Sequence, residues 1–348
     1  MNIVHWIADE AYLANLLQGL PAIALIGIIF SGTLLLTKGA DWLIEGVVSL
    51  ASRTGLPKIV IGATIVSLGT TMPEAFVSVM AAWMGNPGLA LGNGVGSIIA
   101  DTGLIFGLAC LMTRIPMNRF ILNRTGWVQV GAATLLVAIS LGLLLIGDGQ
   151  PVLGRWVGGV FLLLLGLYLF MTCLWAKQSP AEAVYDDDTI CQQMGWVQCW
   201  GKVIGGLMLV VISARLLIPA ASEIAYRIGV PDDVIAATMV ALGTSLPELM
   251  TAIAAIRRGH PEIMVGNVVG ADVLNCLFVI GAAAAAKPLA VPPNFYLFHF
   301  PAMLLILYPF RFFIFINTDG FFKRWQGGWM LGIYVLYLVL QYVFNLGG

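Results

Sequence analysis

A segment near the start of the chain, IGATIVSLGTTMPEA at 61–75, recurs 174 positions later as IAATMVALGTSLPEL at 235–249. At the same offset GNPGLALGNGVGS (85–97) falls on GHPEIMVGNVVGA (259–271). Without a gap, 61–107 and 235–281 share 17 identities in 47 positions, and Arg53, Gly55 and Pro57 pair with Arg227, Gly229 and Pro231. Chance likeness between apolar helices matches Leu, Ala and Val. It does not bring Gly, Thr, Pro, Glu and Asn into register. The fold must therefore be built from two like halves.

Those halves are written in membrane composition. Of 348 residues, 59% are hydrophobic and only 10% charged, with a mean hydropathy of +0.93. Soluble domains carry about a quarter charged residues, so an ordinary soluble enzyme is excluded. The balance of 17 basic against 18 acidic residues excludes a nucleic-acid binder. A spanning helix uses roughly 20 apolar residues. The apolar runs predict an all-α polytopic membrane protein of ten spans, near 21–52, 57–84, 88–113, 124–147, 152–176, 199–227, 231–256, 261–286, 294–316 and 327–346. Residues 1–20 read as an N-terminal extracytoplasmic segment. A least apolar loop at 178–198, with Glu182 and Asp186–Asp187–Asp188, separates the five-helix units 21–177 and 199–348.

Basic residues set orientation. With the N-terminus outside, 12 of the 17 Lys and Arg residues fall on the inner side, 3 on the outer side and 2, Lys38 and Arg215, within spans. Both termini are thus expected to be extracytoplasmic and the acidic loop cytoplasmic. An offset of five helices, an odd number, predicts that the second unit crosses the bilayer in the opposite sense. Inverted repeats of this kind mark secondary transporters with a site at the midplane.

The chemistry lies inside the repeat. Glu74 in GTTMPEA and Glu248 in GTSLPEL stand mid-span, where an acid costs about 3 kcal/mol to insert. Two acids at equivalent places point to a bound cation or proton. Pro73 and Pro247 lack an N–H and free the carbonyls of Gly69 and Gly243, which predicts broken helices lining a cavity. Thr70, Thr71, Thr244 and Ser245 add hydroxyls before each Glu. Later in the repeats, Ser97 and Asp101 share a helix face, with Ala271 and Asn275 as counterparts. Such an all-oxygen set, without His or Cys, suits Ca²⁺, Na⁺ or Mg²⁺. Asn93 and Asn267 read as ties between helices, and the glycines of GNGVG and GNVVG as points of close approach. Asp272 is a further acid beside the site.

The paired segments GTTMPE with GNGVGSIIAD, and GTSLPE with GNVVGADVLN, closely resemble the two alpha-repeats of the sodium/calcium exchanger family within the calcium/cation antiporter superfamily. The resemblance runs over nearly the whole chain. It implies that Glu74 and Glu248 coordinate Ca²⁺ and share flanking Na⁺ sites. It also implies hydroxyl ligands at Thr70, Thr71, Thr244 and Ser245, carbonyl ligands at Ser67 and Ala241, and polar ligands at Ser97, Asp101 and Asn275. The first and sixth helices would be the sliding pair. In that family an amide is expected at the place of Asp101 and an aspartate at that of Asn275; here the two are exchanged. Ala271 stands where serine is common, removing one hydroxyl.

The expected function is Na⁺/Ca²⁺ antiport, with Ca²⁺ and Na⁺ as cargo, no cofactor, no enzyme activity and no protein partner beyond the lipid bilayer. Antiport of H⁺ against Ca²⁺ or another divalent cation is the runner-up, and a passive cation channel the alternative of another class.

Overall fold

The computed structural model describes residues 16–146, 150–178, 194–228 and 245–343. Among these the chain is almost wholly helical. Helices α1 (Ala22–Thr54), α2 (Lys58–Met84), α3 (Pro87–Met112), α4 (Arg119–Ile146) and α5 (Arg155–Gln178) precede the central loop. Helices α6 (Trp196–Arg227), α7 (Leu246–Arg257), α8 (Pro261–Ala286), α9 (Phe295–Ile316) and α10 (Arg324–Val343) follow it. Among the described residues eight of them, α1 to α6, α8 and α9, are long and apolar enough to cross a membrane. Most of the first half of the span expected at 231–256, most of the acidic loop and most of the 1–20 segment lie outside the described residues.

Helix α4 begins at Arg119, five residues before the start that apolarity predicts. Two arginines enter its first turns because each guanidinium finds a carbonyl: Arg119 Nη2 donates to Phe315 O at 3.1 Å and Arg124 Nη1 to Phe120 O at 2.9 Å. Helix α2 departs from expectation as well. It runs through Pro73 without a break, and its irregularity is a π-turn further back, at Gly62–Val66.

The duplication recurs in the elements. Helices α3 and α8 open on Pro87 and Pro261, 174 apart, and each contains a π-turn, Asp101–Ile105 and Asn275–Ile280. Before each of these helices stands a glycine with positive φ, Gly85 at 84° and Gly259 at 75°, a backbone region that costs a side chain dearly. Short strands β1 (Ile115–Pro116) and β3 (Leu289–Ala290) hold the same offset. With β2 (Val152–Leu153) and β4 (Phe321–Phe322) they make two antiparallel ribbons, β1 with β4 and β2 with β3. These ribbons, which apolarity does not predict, tie the α3–α4 connection to α9–α10 and the α4–α5 connection to α8–α9.

Helices α2, α3 and α8 are the most enclosed, whereas α1, α5 and α6 turn much of their surface outward. Gly266 and Gly270 on α8 bring it against α2: a Cβ on Gly270 would stand 2.5 Å from the Ala63 carbonyl oxygen. Helices α1 and α6 pack along their lengths with opposite directions. Gly32 faces Leu217, Gly39 faces Gly206 and Leu209, and Gly46 faces Val203. At the middle crossing a Cβ on Gly206 would lie 2.5 Å from the Leu43 nitrogen and 2.7 Å from the Gly39 carbonyl. Only glycine fits there.

Candidate ion-binding site

Two enclosed helices carry the first repeat's polar residues inward. On α2, Ser67, Thr70, Thr71 and Glu74 are all buried, Glu74 at 1% exposure. Their spacing of three and four residues places them along one side of the helix. On α3, Ser97 and Asp101 are buried likewise, Asp101 at the start of the π-turn. Such turns inside helices often mark functional positions. From the second repeat, Ser245 and Glu248 come from the start of α7, Glu248 at 2% exposure, and Asn275 from the π-turn of α8. Thr244 and Ala241 lie outside the described residues.

The structure brings these residues into one neighbourhood. Glu74 is within electrostatic reach of Glu248, and Asp101 within reach of both. The Thr70 hydroxyl faces Glu248 and also donates to Val66 O at 3.2 Å and Ser67 O at 3.3 Å. Asn275 Nδ2 donates to Asp101 Oδ2 at 3.3 Å. Asn93 donates to the Glu74 carbonyl at 3.0 Å and to Ser78 Oγ at 2.9 Å. Asn267 donates to Thr251 Oγ1 at 3.3 Å and accepts from Thr70 at 3.5 Å. Both asparagines therefore tie helices together, as their sequence positions suggest.

What distinguishes the neighbourhood is the oxygen left without a donor. Buried polar atoms in proteins nearly always have partners. Among the residues expected to hold the ion, eight buried side-chain oxygens have none: Thr71 Oγ1, both of Glu74, Asp101 Oδ1, Ser245 Oγ, both of Glu248, and Asn275 Oδ1. All belong to residues that the repeat singles out. Leaving a buried carboxylate unmatched is costly, and the cost is offset only by a cation or a proton. Among the described residues Arg215 of α6 is the basic side chain within electrostatic reach of Glu74, yet neither Glu74 oxygen has a hydrogen-bond donor. An oxygen-only donor set of this kind fits a hard cation as cargo.

Sequence reading sets Asp272 beside the site but leaves unseen what holds it. Asp272 on α8, 2% exposed, accepts from the Thr102 hydroxyl and, at 2.5 Å, from Gln129 Nε2 of α4. Its charge reaches Asp101. Thr102 is the second residue of the π-turn that Asp101 opens, so Asp272 and Gln129 brace that turn from two other helices. The sequence offers Asp272 itself, as an acid beside the site, but neither Thr102 nor Gln129 as its partner.

Comparison with known proteins agrees with the geometry. The family described as sodium/calcium exchanger protein matches residues 24–174 and again 199–343, once for each half. The sodium/calcium exchanger MaX1 of Methanosarcina acetivorans is 29% identical over 92% of this chain and 97% of its own length. An uncharacterized membrane protein of Methanocaldococcus jannaschii is 32% identical over 89% of this chain and 96% of its own. Solved structures of the sodium-calcium exchanger NCX_Mj superpose with a TM-score of 0.76 at 28% identity, covering 92% of this chain and 99% of theirs. Multi-pass membrane helices, an oxygen-lined buried site and a transporter profile repeated in both halves lead to one assignment: the chain is a cation exchanger, not an enzyme, and belongs to the sodium/calcium exchanger family.

Proposed function

We propose that the protein exchanges Na⁺ for Ca²⁺ across the membrane by alternating access at one shared midplane site. The observation that carries this reading is the set of eight unpartnered oxygens, drawn from both repeats and centred on Glu74 and Glu248. Ca²⁺ is held between the two glutamates. Na⁺ ions use the same carboxylates with the hydroxyls of Thr70, Thr71, Thr244 and Ser245, the carbonyls of Ser67 and Ala241, and the polar groups of Ser97, Asp101 and Asn275. Competition for the same carboxylates forces antiport, because both cargoes cannot be bound together.

The ten-span inverted plan is part of the same proposal. Helices α1 and α6 are counterparts at the 174 offset, and their glycine contacts run in opposite order. That supports opposite crossing directions for the two units. So do the ribbons: β1 and β3 are counterparts, yet each pairs with a strand of the other half. In this plan both termini are extracytoplasmic, the central loop is cytoplasmic, and α1 with α6 slides across the rest to open the two faces in turn.

The test is Ca²⁺ uptake into proteoliposomes loaded with Na⁺ and diluted into Na⁺-free buffer, beside a pH-gradient control. Uptake that requires the Na⁺ gradient and vanishes in Glu74→Gln bears out the proposal. Uptake driven by the pH gradient alone assigns the protein to proton-coupled exchange. Uptake with neither gradient makes it a channel.

A further inference from the structure

Where α4 begins and α9 ends stand three arginines, Arg119, Arg124 and Arg311, none paired to a carboxylate among the described residues. Arg311 on α9 is 8% exposed, and its Nε and Nη1 are buried without an acceptor. Its guanidinium lies 4.6 Å from the Trp127 ring centroid, with its stem along Gly126, where a Cβ would come within 3.5 Å of Arg311 Cδ. On α4, Phe120, Arg124 and Trp127 share one face by their spacing. Arg124 stacks 3.7 Å from the Phe120 centroid. Arg119 spends Nη2 on the Phe315 carbonyl, one turn beyond Arg311, and its buried Nε has no acceptor.

The surroundings face lipid. Trp127 is 62%, Phe312 57% and Phe315 68% exposed, and the arginines lie within about two turns of the α4 start and the α9 end, where spanning helices approach the headgroups. A cation beside hydrocarbon is expensive unless it meets an anion. Ring faces and main-chain carbonyls satisfy only part of each guanidinium; Arg119 and Arg124 are half-buried, and the N–H groups they keep match phosphate oxygens in charge and shape. Basic pockets between membrane helices hold anionic headgroups on this principle.

We propose that Arg119, Arg124 and Arg311 bind the phosphate of an anionic phospholipid, whose acyl chains lie along Trp127 and Phe315. Free phosphate offers the same oxygens, so the experiment separates the two. The full chain, purified in neutral detergent, is mixed with phosphatidylglycerol, phosphatidylcholine or inorganic phosphate. Retained lipid is counted by native mass spectrometry and the melting temperature is followed. Phosphatidylglycerol is retained and raises the melting temperature, whereas phosphatidylcholine does neither. Arg311→Met and Arg124→Gln each retain about fivefold less, the loss expected for one basic residue at a membrane surface. If Arg311→Met does not fold, Arg124→Gln with Trp127→Leu carries the comparison. Equal retention of both lipids, or unchanged retention in the folded variants, overturns the proposal. A melting shift by inorganic phosphate equal to that by phosphatidylglycerol overturns the lipid assignment.

Discussion

Asn275 donates its amide to the Asp101 carboxylate at 3.3 Å, joining two residues that stand 174 positions apart and occupy the same place in the two repeats. Each opens a π-turn in an enclosed helix. The bond runs across the relation between the halves, so exchanging the two residue types keeps one acid facing one amide.

A swap therefore tests the site's symmetry. Asp101→Asn removes one carboxylate and should lower Na⁺-driven Ca²⁺ uptake. Asn275→Asp sets two acids in contact and should also lower it. The double variant restores the pair, and its uptake should exceed that of either single change. Coupling between contacting residues is typically about 0.5–3 kcal/mol, so the rescue should be severalfold or more in initial rate. Strictly additive losses would show that the two side chains act apart.

The unpartnered oxygens of Glu74 and Glu248 predict opposite effects on stability and transport. Replacing a buried, unpaired carboxylate by its neutral isostere removes a desolvation cost. In ion-free detergent, Glu74→Gln and Glu248→Gln should melt no lower than the parent. Ca²⁺ at about 100 times its dissociation constant stabilises a binding protein by about 2.7 kcal/mol; the parent should show that shift and both variants should lose it. A Ca²⁺-induced shift that survives in both would remove the glutamates from the site.

Much of this arrangement is legible in the sequence because the repeat preserves residues that apolar drift does not. Glu, Pro, Asn and Gly fall in register, so Glu74, Glu248, Asp101 and Asn275 can be chosen before any contact is known. Boundaries follow hydropathy except where a charge finds a local partner, as Arg119 and Arg124 do at the start of α4. Pro73 shows another limit. A proline marks one missing hydrogen bond, yet packing carries α2 straight through it. The bracing of Asp272 by Gln129 is least legible of all, since 143 positions separate them and no periodicity links helix α4 to helix α8.

That bracing makes its own prediction. Thr102→Val or Gln129→Leu strips a donor from a buried carboxylate, which commonly costs about 1–3 kcal/mol. Both variants should melt several degrees lower, while Thr102→Ser, which keeps the hydroxyl, should melt close to the parent. Because Thr102 adjoins Asp101, Thr102→Val should also weaken the apparent affinity for Ca²⁺ in uptake assays, and Thr102→Ser should recover it. Parental melting in all three would mean that Asp272 needs no partner.

The last prediction concerns the helices proposed to slide. Arg258, just past α7, forms ion pairs with Asp41 at 3.1 Å and Glu45 at 2.7 Å on α1, and Lys202 of α6 also pairs with Glu45. These side chains are partly exposed, so each pair contributes at most about 1 kcal/mol, and Arg258→Gln should barely change the melting temperature. Their place matters more than their strength, because they join α1 and α6 to an element expected to stay still. If α1 and α6 move together, a bifunctional thiol reagent linking Asp41→Cys to Arg258→Cys should stop exchange, and a reducible linker should restore it on cleavage. By contrast, linking α1 to α6 through Glu45→Cys and Lys202→Cys should leave exchange running, since glycine contacts such as Gly39 with Gly206 already hold those two helices as one body. Exchange that continues through the α1–α7 link, or stops with the α1–α6 link, would assign the motion to other helices.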